Sequence, residues 1–440
     1  GVNGNVNGIG NYEVYGEYAQ VDAKTYGGAT ALYNKKLLNT NLRWEQSQTF
    51  EVGLDIGFLQ NRFSFILDFY SRRTKDLLTK QALPGYTGFS DIVTNMGTLR
   101  NSGFEAEVKA NIINKGGFTW DMTANITSVA NKIISLPYNN VENNRVGGYE
   151  VAAGKVDADG KFPTKWIAGR QEGGKLGELV GYRQQHVFKD WDDVKQHANL
   201  RVDEVANLYG PGLADQINPA TGKTYKESSG WQPIEPGDAC WEDINGDNII
   251  NGYDRSVMGN IFPNVTGGFS TTFGYKGLSL YARFDYALGH TLYNDLKARS
   301  LGQYQGQFNI ITDVKDMWSE ANPNSDLTKF YYADQLAKKN ITRSNNASTA
   351  ADNNSSRYYE KGDYLALREI TLSYQLPKSL ISKAHLTEAS VYVTGQNLFY
   401  ITGYDGVSPE PAVSTTYGRG IDNGRYPTPR TFLFGLSLTF

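Results

Sequence analysis

The chain is 440 residues long, with 40% hydrophobic residues, 13% aromatic residues and a net charge of −3. This charge balance gives no general attraction to nucleic acid, and the single cysteine, Cys240, excludes an intrachain disulfide. Gly, Tyr and Phe are abundant while Met and Cys are scarce, a composition that favours strands and turns over helices. No run of about 18 apolar residues is present, so no transmembrane helix is predicted.

The N-terminal segment, residues 1–12, has neither the basic region nor the apolar core of a signal peptide, and there is no initiator Met. We therefore expect the sequence to begin partway through a larger protein or to be a processed piece. The mean hydropathy of −0.48 resembles that of soluble proteins. It does not exclude a transmembrane β-barrel, because such a barrel is apolar only at every second residue.

Alternation of apolar and polar residues predicts four pairs of strands and a single final strand. The predicted strands are 49–58, 63–69, 104–112, 118–126, 265–275, 278–286, 364–376, 389–395 and 431–440. A partial strand at the N-terminus brings the total to about ten. Irregular apolar spacing around Arg368 predicts a β-bulge or a strand end at that point.

The connections between strands alternate in length. Short turns lie within the first three pairs, whereas long segments join one pair to the next, at about 71–99, 129–264, 288–362 and 401–429. Short turns at one end and long loops at the other are typical of an outer-membrane β-barrel. Alternation by itself also fits a soluble sandwich, in which the apolar face fills a core. Strand length, aromatic residues near strand ends and the loop asymmetry favour the barrel.

One loop, DINGDNIINGYD at 243–254, has the oxygen spacing of a calcium site. Side-chain oxygens fall at positions 1, 3, 5, 9 and 12, and position 7 offers its main-chain carbonyl. The predicted ligands are Asp243, Asn245, Asp247, Ile249, Asn251 and Asp254. Position 6 is Asn248 where calcium loops have Gly, and position 12 is Asp where EF-hands have Glu. The alternative is an Asx-rich turn without metal, but we expect a cation, Ca²⁺, in a structural role.

Four aromatic residues in the long loops are candidates for stacking on sugar rings. They are Trp166, Trp191, Trp231 and Tyr304. Packing within the loops is the alternative use of these side chains. The acidic residues around Trp191 predict the start of a solvated helix. No pattern of nucleophile and base, zinc ligands or phosphate-binding loop is present, so we expect no enzymatic activity.

Six stretches, in order along the chain, resemble SusC/RagA-type TonB-dependent outer-membrane transporters. They are NLRWEQSQTFEVGLDIGFLQNRFSFILDFYSRRTKDLL, NMGTLRNSGFEAEVKANII, PGDACWEDINGDNIINGYDRSVMGNIFPNVTGGFS, YLALREITLSYQLPKSL, VYVTGQNLFYITGYDGVSPE and RYPTPRTFLFGLSLTF. The resemblance runs from about residue 40 to the end of the sequence. It is weakest at 138–230 and 288–355, where such proteins vary in their extracellular loops.

The resemblance implies an all-β fold, a transmembrane antiparallel barrel of about 22 strands, of which this chain forms about ten C-terminal ones. Residues 129–264 and 288–362 become long extracellular loop regions. A plug domain inside the barrel, a SusD-like surface lipoprotein and TonB-driven uptake of oligosaccharides or peptides are also implied. The location is the outer membrane of a Gram-negative, Bacteroidetes-like bacterium. Phe440 resembles the C-terminal signal that the outer-membrane assembly machinery recognises.

The sequence contains no plug and about half of the strands that the family requires. An open barrel would leave strand edges unpaired in lipid, so we expect the missing parts from another chain, a cleaved precursor or missing residues. Glycan is favoured over peptide as substrate, because glycan uptake is the family's largest use and the loops are rich in Tyr and Trp. The alternatives are a passive porin or surface glycan-binding barrel without energy coupling, and a secreted glycan-binding β protein.

Overall fold

The computed structural model describes residues 1–5, 13–26, 29–83, 85–203, 207–303, 309–330, 355–410, 413–414 and 418–440. The chain divides into two compact units. One comprises Gly1–Glu107, Thr127–Gly147 and Gly169–Leu176, and the other comprises Val108–Ile126, Gly148–Ala168 and Gly177–Phe440. No helix in the described ranges is long and apolar enough to cross a membrane.

Ten strands form one sheet in which each strand is hydrogen-bonded to the next along the chain. They are Val2–Asn5 (β1), Glu45–Phe58 (β2), Phe63–Lys75 (β3), Thr98–Lys115 (β4), Phe118–Ser135 (β5), Val265–Tyr275 (β6), Leu278–Leu288 (β7), Tyr364–Gln375 (β8), Glu388–Thr402 (β9) and Thr431–Thr439 (β10). The pairs β1–β2, β2–β3, β6–β7, β7–β8, β8–β9 and β9–β10 are antiparallel. The predicted nine strands and the partial first strand are confirmed, since β1 has four residues.

Several strands extend well beyond the apolar alternation that predicted them. β4 and β5 contain 18 residues each, about twice the predicted length. Hydroxyl pairs continue the sheet where the apolar pattern stops: Ser47 Oγ lies 2.9 Å from Thr74 Oγ1, and Ser71 Oγ lies 3.1 Å from Ser102 Oγ. Cross-strand hydroxyl pairs stabilise a sheet without any hydrophobic signal, so periodicity marked only the apolar part of each strand.

The irregularity predicted at Arg368 is a β-bulge. The register shifts opposite Arg283 and Phe284 on β7, and between Leu367 and Glu369 on β8. Arg368 is the additional residue of the bulged strand. Pairing resumes on both sides of it, so β9 continues beyond the predicted end, as far as Thr402.

The apolar faces of the long strands are exposed. Phe50 is 71% exposed and Phe434 is 83% exposed. On the opposite face, polar groups pair across strands, as where Arg72 Nε donates to Thr49 Oγ1 at 3.3 Å. A soluble sandwich would bury the apolar face, so this exposure disfavours the secreted soluble protein. A surface of this kind requires contact with lipid or protein.

The largest buried cluster among the described residues lies in the connection between β5 and β6. We call residues 177–262 the loop module. Its strands pair as Glu178–Tyr182 with Arg255–Asn260 and Gln184–Val187 with Ala239–Trp241. A small sheet joins Arg201–Val202, Leu208–Tyr209, Gln232–Pro233 and Ile249–Ile250. The buried cluster comprises Tyr182, Phe188, Val194, Leu200, Val202, Leu208, Ile234, Ala239, Cys240, Trp241 and Ile250. This predicted loop is therefore a folded body with its own core.

The loop module also contains the predicted solvated helix, Trp191–Gln196 (α1). Its N-cap is Asp190, whose side chain accepts a hydrogen bond from Asp193 N, as carboxylates at helix starts commonly do. The other short elements are Glu17–Tyr26, Ala29–Lys36, Leu78–Ala82, Asp91–Asn95, Tyr149–Ala152, Thr164–Ile167, Thr291–Asn294, Asp295–Ala298 (α2), Tyr359–Lys361, Lys378–Ile381 (α3), Val413–Ser414, Gly418–Arg419 and Ile421–Asp422.

Replacing Phe188 with Ala tests whether the loop module has an autonomous core. Phe188 has no exposed surface, so we expect the module to lose about 3–5 kcal/mol. Hydrogen-exchange mass spectrometry of the full-length protein should show faster exchange in 177–262 and unchanged exchange in β6 to β9. Ile217→Ala, at a residue that is 63% exposed, is the control and should change stability by no more than about 0.5 kcal/mol. Equal effects of the two substitutions would contradict the assigned core.

Candidate functional site

Within the second unit, the polar face of the sheet contains a groove of about 440 Å³ between strands β5 and β8. Its lining includes Asn125, Ser270, Arg283 and Asp285. Asn125 Oδ1 accepts a hydrogen bond from Gly268 N at 3.0 Å, which fixes the amide at the groove wall. The groove therefore presents hydroxyl, amide, guanidinium and carboxylate groups to one space, a set suited to polar ligands.

Arg368, at the bulge, connects this wall to the segment that follows β9. Its Nε donates to Asp285 Oδ1 at 2.6 Å and its Nη1 donates to Tyr400 OH at 3.0 Å. Its Nη2 donates to Glu410, and Tyr400 OH donates to the same carboxylate at 2.9 Å. Burial opposes ionisation of Glu410, but the hydrogen bonds from Arg368 and Tyr400 outweigh it and lower the pKa of Glu410. Two carboxylates thus neutralise one half-buried guanidinium.

The main chain of the same segment is also anchored. His290 Nε2 lies 2.8 Å from Pro409 O, and Arg425 Nη2 donates to Ser408 O at 3.2 Å and to Glu410 O at 2.6 Å. Sequence reasoning found the bulge but missed this network. Arg368 and Glu410 are 42 residues apart, and no local pattern links residues at that separation.

The predicted calcium loop folds as a series of Asx turns within the loop module. Asp243 accepts hydrogen bonds from Gly246 N at 2.7 Å and Asn248 N at 2.8 Å. Asn248 has a φ of 62°, a left-handed conformation that Asn tolerates better than most residues. Asp247 accepts from Ile249 N at 2.7 Å. The loop thus adopts the tight turn of a calcium loop without the usual Gly.

Asp254 closes this loop from within the protein. It has no exposed surface, and it accepts hydrogen bonds from Ile244 N at 2.8 Å and Asn251 N at 2.9 Å. Burial raises the pKa of Asp254 to about 7; the two hydrogen bonds oppose the shift, while the charges of Asp243 and Asp247 add to it. Three neighbouring carboxylates, one of them buried, form an environment that a cation would stabilise.

The remaining predicted ligands lie beside these carboxylates. Asn245 is buried and its Nδ2 donates to Asp247 Oδ2 at 3.0 Å, while Asn251 Oδ1 accepts from Tyr253 N at 2.8 Å. Across the described part of the chain, no three His, Cys, Asp or Glu side chains converge on a metal position. The loop carboxylates point instead at main-chain N–H groups. Each of these oxygens has a second lone pair, so the hydrogen bonds to the main chain do not exhaust their capacity to accept.

The predicted sugar-stacking residues lie on separate elements. Trp166 is half-buried in a two-stranded sheet. Trp191 is the first residue of α1 and is 55% exposed. Trp231 packs edge-on against Tyr225, with ring centroids 5.1 Å apart. Tyr304 lies outside the described residues. Of the three described residues, Trp191 has the ring most available for stacking.

The final strand, β10, keeps the alternation that its sequence predicts. Phe434 pairs with Val393 of β9, and Leu433 pairs with Thr394. Thr394 Oγ1 lies 2.7 Å from Thr371 Oγ1, so Leu433 is an apolar residue on the face that carries hydroxyl groups. Phe440 follows β10 and is exposed.

Comparison with known proteins identifies the class of barrel. The family model "TonB dependent receptor-like, beta-barrel" matches residues 7–231, just over half of the chain. "TonB-dependent receptor P3" of Formosa agariphila is 28% identical over 408 residues, which cover 91% of this chain and 35% of that protein. "TonB-dependent receptor SusC" of Bacteroides thetaiotaomicron is 28% identical over 436 residues, 98% of this chain and 35% of that protein.

A solved structure has the same fold. The "RagAB peptide transporter" structure superposes with a TM-score of 0.68 at 20% sequence identity and covers all of this chain and 40% of that one. The chain spans about a third of the length of the curated relatives that it matches. The exposed apolar face thus faces the lipid of the outer membrane of a Gram-negative bacterium, and the polar face lines the barrel lumen. The chain belongs to the TonB-dependent receptor-like β-barrel family and is similar to SusC and RagA.

Proposed function

We propose that the chain is the C-terminal barrel portion of an energy-coupled, SusCD-type importer of oligosaccharides or peptides, with oligosaccharides favoured. The observation that carries this proposal is the pairing of a continuous exposed apolar face with a polar face that holds a groove. The first suits lipid and the second suits a polar cargo. Family membership supports transport as the use of such a wall.

The proposed importer also includes a plug, further barrel strands, TonB and a surface lipoprotein. An N-terminal plug and the remaining strands would close the barrel, because strand edges are not stable in lipid. TonB would act through the plug, and a SusD-like surface lipoprotein would cover the long loops. A passive porin or a surface glycan-binding barrel is the alternative, and it differs in requiring neither plug movement nor TonB.

The favoured cargo is an oligosaccharide, because aromatic rings in the loops suit the apolar faces of sugars. Trp191 has the most exposed ring among the three described candidates. Trp166, Trp231 and Tyr304 are proposed as further contacts. A peptide would instead depend mainly on the hydrogen-bonding and charged groups of the groove, such as Arg283 and Asp285.

We further propose that the 243–254 loop binds Ca²⁺, through Asp243, Asn245, Asp247, Ile249, Asn251 and Asp254. The buried carboxylate of Asp254 beside Asp243 and Asp247 supports this proposal. The proposed role of the cation is to stiffen the loop module, because no pattern of nucleophile and base surrounds the loop in the sequence. We propose that the outer-membrane assembly machinery recognises Phe440.

The orientation of β10 predicts a difference between two neighbouring substitutions. Leu436→Lys introduces a cation on the lipid face and should cost about 2–4 kcal/mol near the bilayer midplane. Ser437→Lys introduces the same cation on the lumen face and should be tolerated. Heat-modifiable mobility of the full-length protein in outer-membrane fractions measures correct assembly. Assembly of the Leu436 variant with normal yield, or loss of the Ser437 variant alone, would contradict the assigned faces.

Energy-coupled uptake of oligosaccharide predicts two separate results. The full-length protein should bind a panel of linear oligosaccharides more tightly than a panel of unstructured peptides in calorimetry. Trp191→Ala should weaken binding of the sugar by about 1 kcal/mol, which raises Kd about fivefold. Tyr86→Ala, which removes another exposed ring, is the matched control and should leave the affinity unchanged.

Uptake of the bound sugar by cells should stop when an uncoupler dissipates the proton-motive force. Uptake that continues would favour the passive porin. Preferential binding of peptides would contradict the proposed oligosaccharide cargo, but it would not contradict the proposal that the protein is an importer.

Calcium should stabilise the 243–254 loop against local opening. Addition of CaCl₂ to chelator-treated full-length protein should slow hydrogen exchange in 243–254, because a cation neutralises three clustered carboxylates. Asp247→Ala should abolish this effect, whereas Asp215→Ala, at an exposed carboxylate elsewhere in the module, should preserve it. Identical exchange with calcium and with chelator would refute the site.

A further inference from the structure

We propose that a row of cations at the long-loop ends of β3, β4 and β5 binds the phosphate groups of an anionic lipid in the outer leaflet. We call Arg73, Lys75, Arg100 and Lys132 the basic row. All four lie in the first compact unit. They stand at the strand ends that lead into long connections, which in a barrel of this family are the extracellular ends. The inference rests on the membrane location and is independent of the cargo.

Arg73 projects from the lipid face. The residue before it, Arg72, donates from Nε to Thr49 Oγ1 at 3.3 Å on the lumen face. Successive residues of a strand point to opposite faces, so Arg73 shares its face with the exposed Phe69. The same alternation places Lys75 on the lipid face.

Arg100 lies beside Arg73 on the neighbouring strand. Ser71 Oγ and Ser102 Oγ are 3.1 Å apart across β3 and β4, so these residues share one face. Two residues further towards the long loops, the antiparallel strands bring Arg73 opposite Arg100. Side chains in such pairs start about 5 Å apart.

Lys132 extends the row onto β5. Asn111 Nδ2 donates to Asp121 Oδ1 at 2.8 Å, so these two residues stand opposite each other across β4 and β5. Eleven residues further towards the long loops on both strands, Arg100 stands opposite Lys132. Ile133 is 4% exposed and points to the other side, so the exposed Lys132 points to lipid.

Among the residues that the structure describes, no counter-ion pairs with the charges of the basic row. Like charges that stand opposite each other destabilise a sheet. Across the described ranges, no hydrogen bond or salt bridge involves these four side chains, and the lipid-face positions of β2 to β5 include no Asp or Glu. The lumen face of the same strands carries Glu51, Asp55, Asp68, Glu105, Glu107 and Asp121. An external anion would supply the counter-charge and relieve the repulsion between these neighbouring cations.

The height of the row above the apolar band favours a lipid phosphate over a free anion. Arg73 is four residues beyond Phe69, about 13 Å along the strand, and Ser71 lies between them. Long cationic side chains at such a position extend into the headgroup layer. Guanidinium groups bind phosphate through two parallel hydrogen bonds, and the adjoining apolar band would hold the acyl chains of the same molecule.

The row is local to three strands. At the long-loop ends of β7, β8 and β9, the lipid-face positions are Leu288, Leu365 and Ile401. A general attraction to headgroups would distribute cations around the rim. The concentration of four cations on adjacent strands indicates one lipid-binding site.

Native mass spectrometry of the full-length protein in detergent tests this site with lipid A that carries two phosphates and with its dephosphorylated form. The phosphorylated lipid should bind at least tenfold more tightly. The combined variant Arg73→Gln, Arg100→Gln and Lys132→Gln should lose this preference. A matched variant with the same loss of charge away from the lipid face, Arg72→Gln, Lys109→Gln and Lys165→Gln, should keep it.

Equal binding of the two lipids by the unmodified protein would overturn the proposal without any variant. A combined variant that assembles normally, judged by heat-modifiable mobility, and retains the preference would also overturn it. Millimolar inorganic phosphate should not displace the lipid. Complete displacement would assign the row to a free anion and would equally refute the lipid site.

Discussion

The structure depends on one requirement of strands in lipid: every main-chain N–H and C=O must be paired inside the protein. Ten strands meet this requirement by pairing in chain order, each with its neighbour. The two faces of the sheet then meet two different solvents. Phe50 and Phe434 are not covered by other parts of the protein, because they face lipid. Thr49 and Arg72 form a hydrogen bond on the face that meets water. A conventional hydrophobic core is not needed in this part of the chain.

The opposite rule holds in the loop module, where the surroundings are water. Phe188, Val194 and Ile250 have no exposed surface there, because only burial removes apolar groups from water. Cys240 belongs to this core. Burial, with a smaller contribution from the negative charge of Asp193, raises the pKa of its thiol to about 12. The thiol is thus a neutral packing group and not a reactive one. The predicted calcium loop lies on this module, where stiffening would act on the folded body as a whole.

Arg368 shows how a local irregularity acquires a distant partner. The bulge interrupts the alternation of β8, and the extra residue directs a guanidinium to Asp285 and Glu410. The segment that contains Glu410 is thereby fixed to the lumen wall beside the groove. The proposed contact between the second unit and cargo rests on the groove and this segment.

The sequence by itself determined the strand pairs, the bulge at Arg368, the start of α1 and the family, because each depends on residue spacing along the chain. Strand length was underestimated, since hydroxyl pairs such as Ser71–Ser102 leave no apolar signal. Only the tertiary structure decided which residues meet across long separations, as Arg368 and Glu410 do. It also gave the loop module its core and placed Arg73 opposite Arg100, because the long connection between β3 and β4 has no tight turn that would fix their register from the sequence.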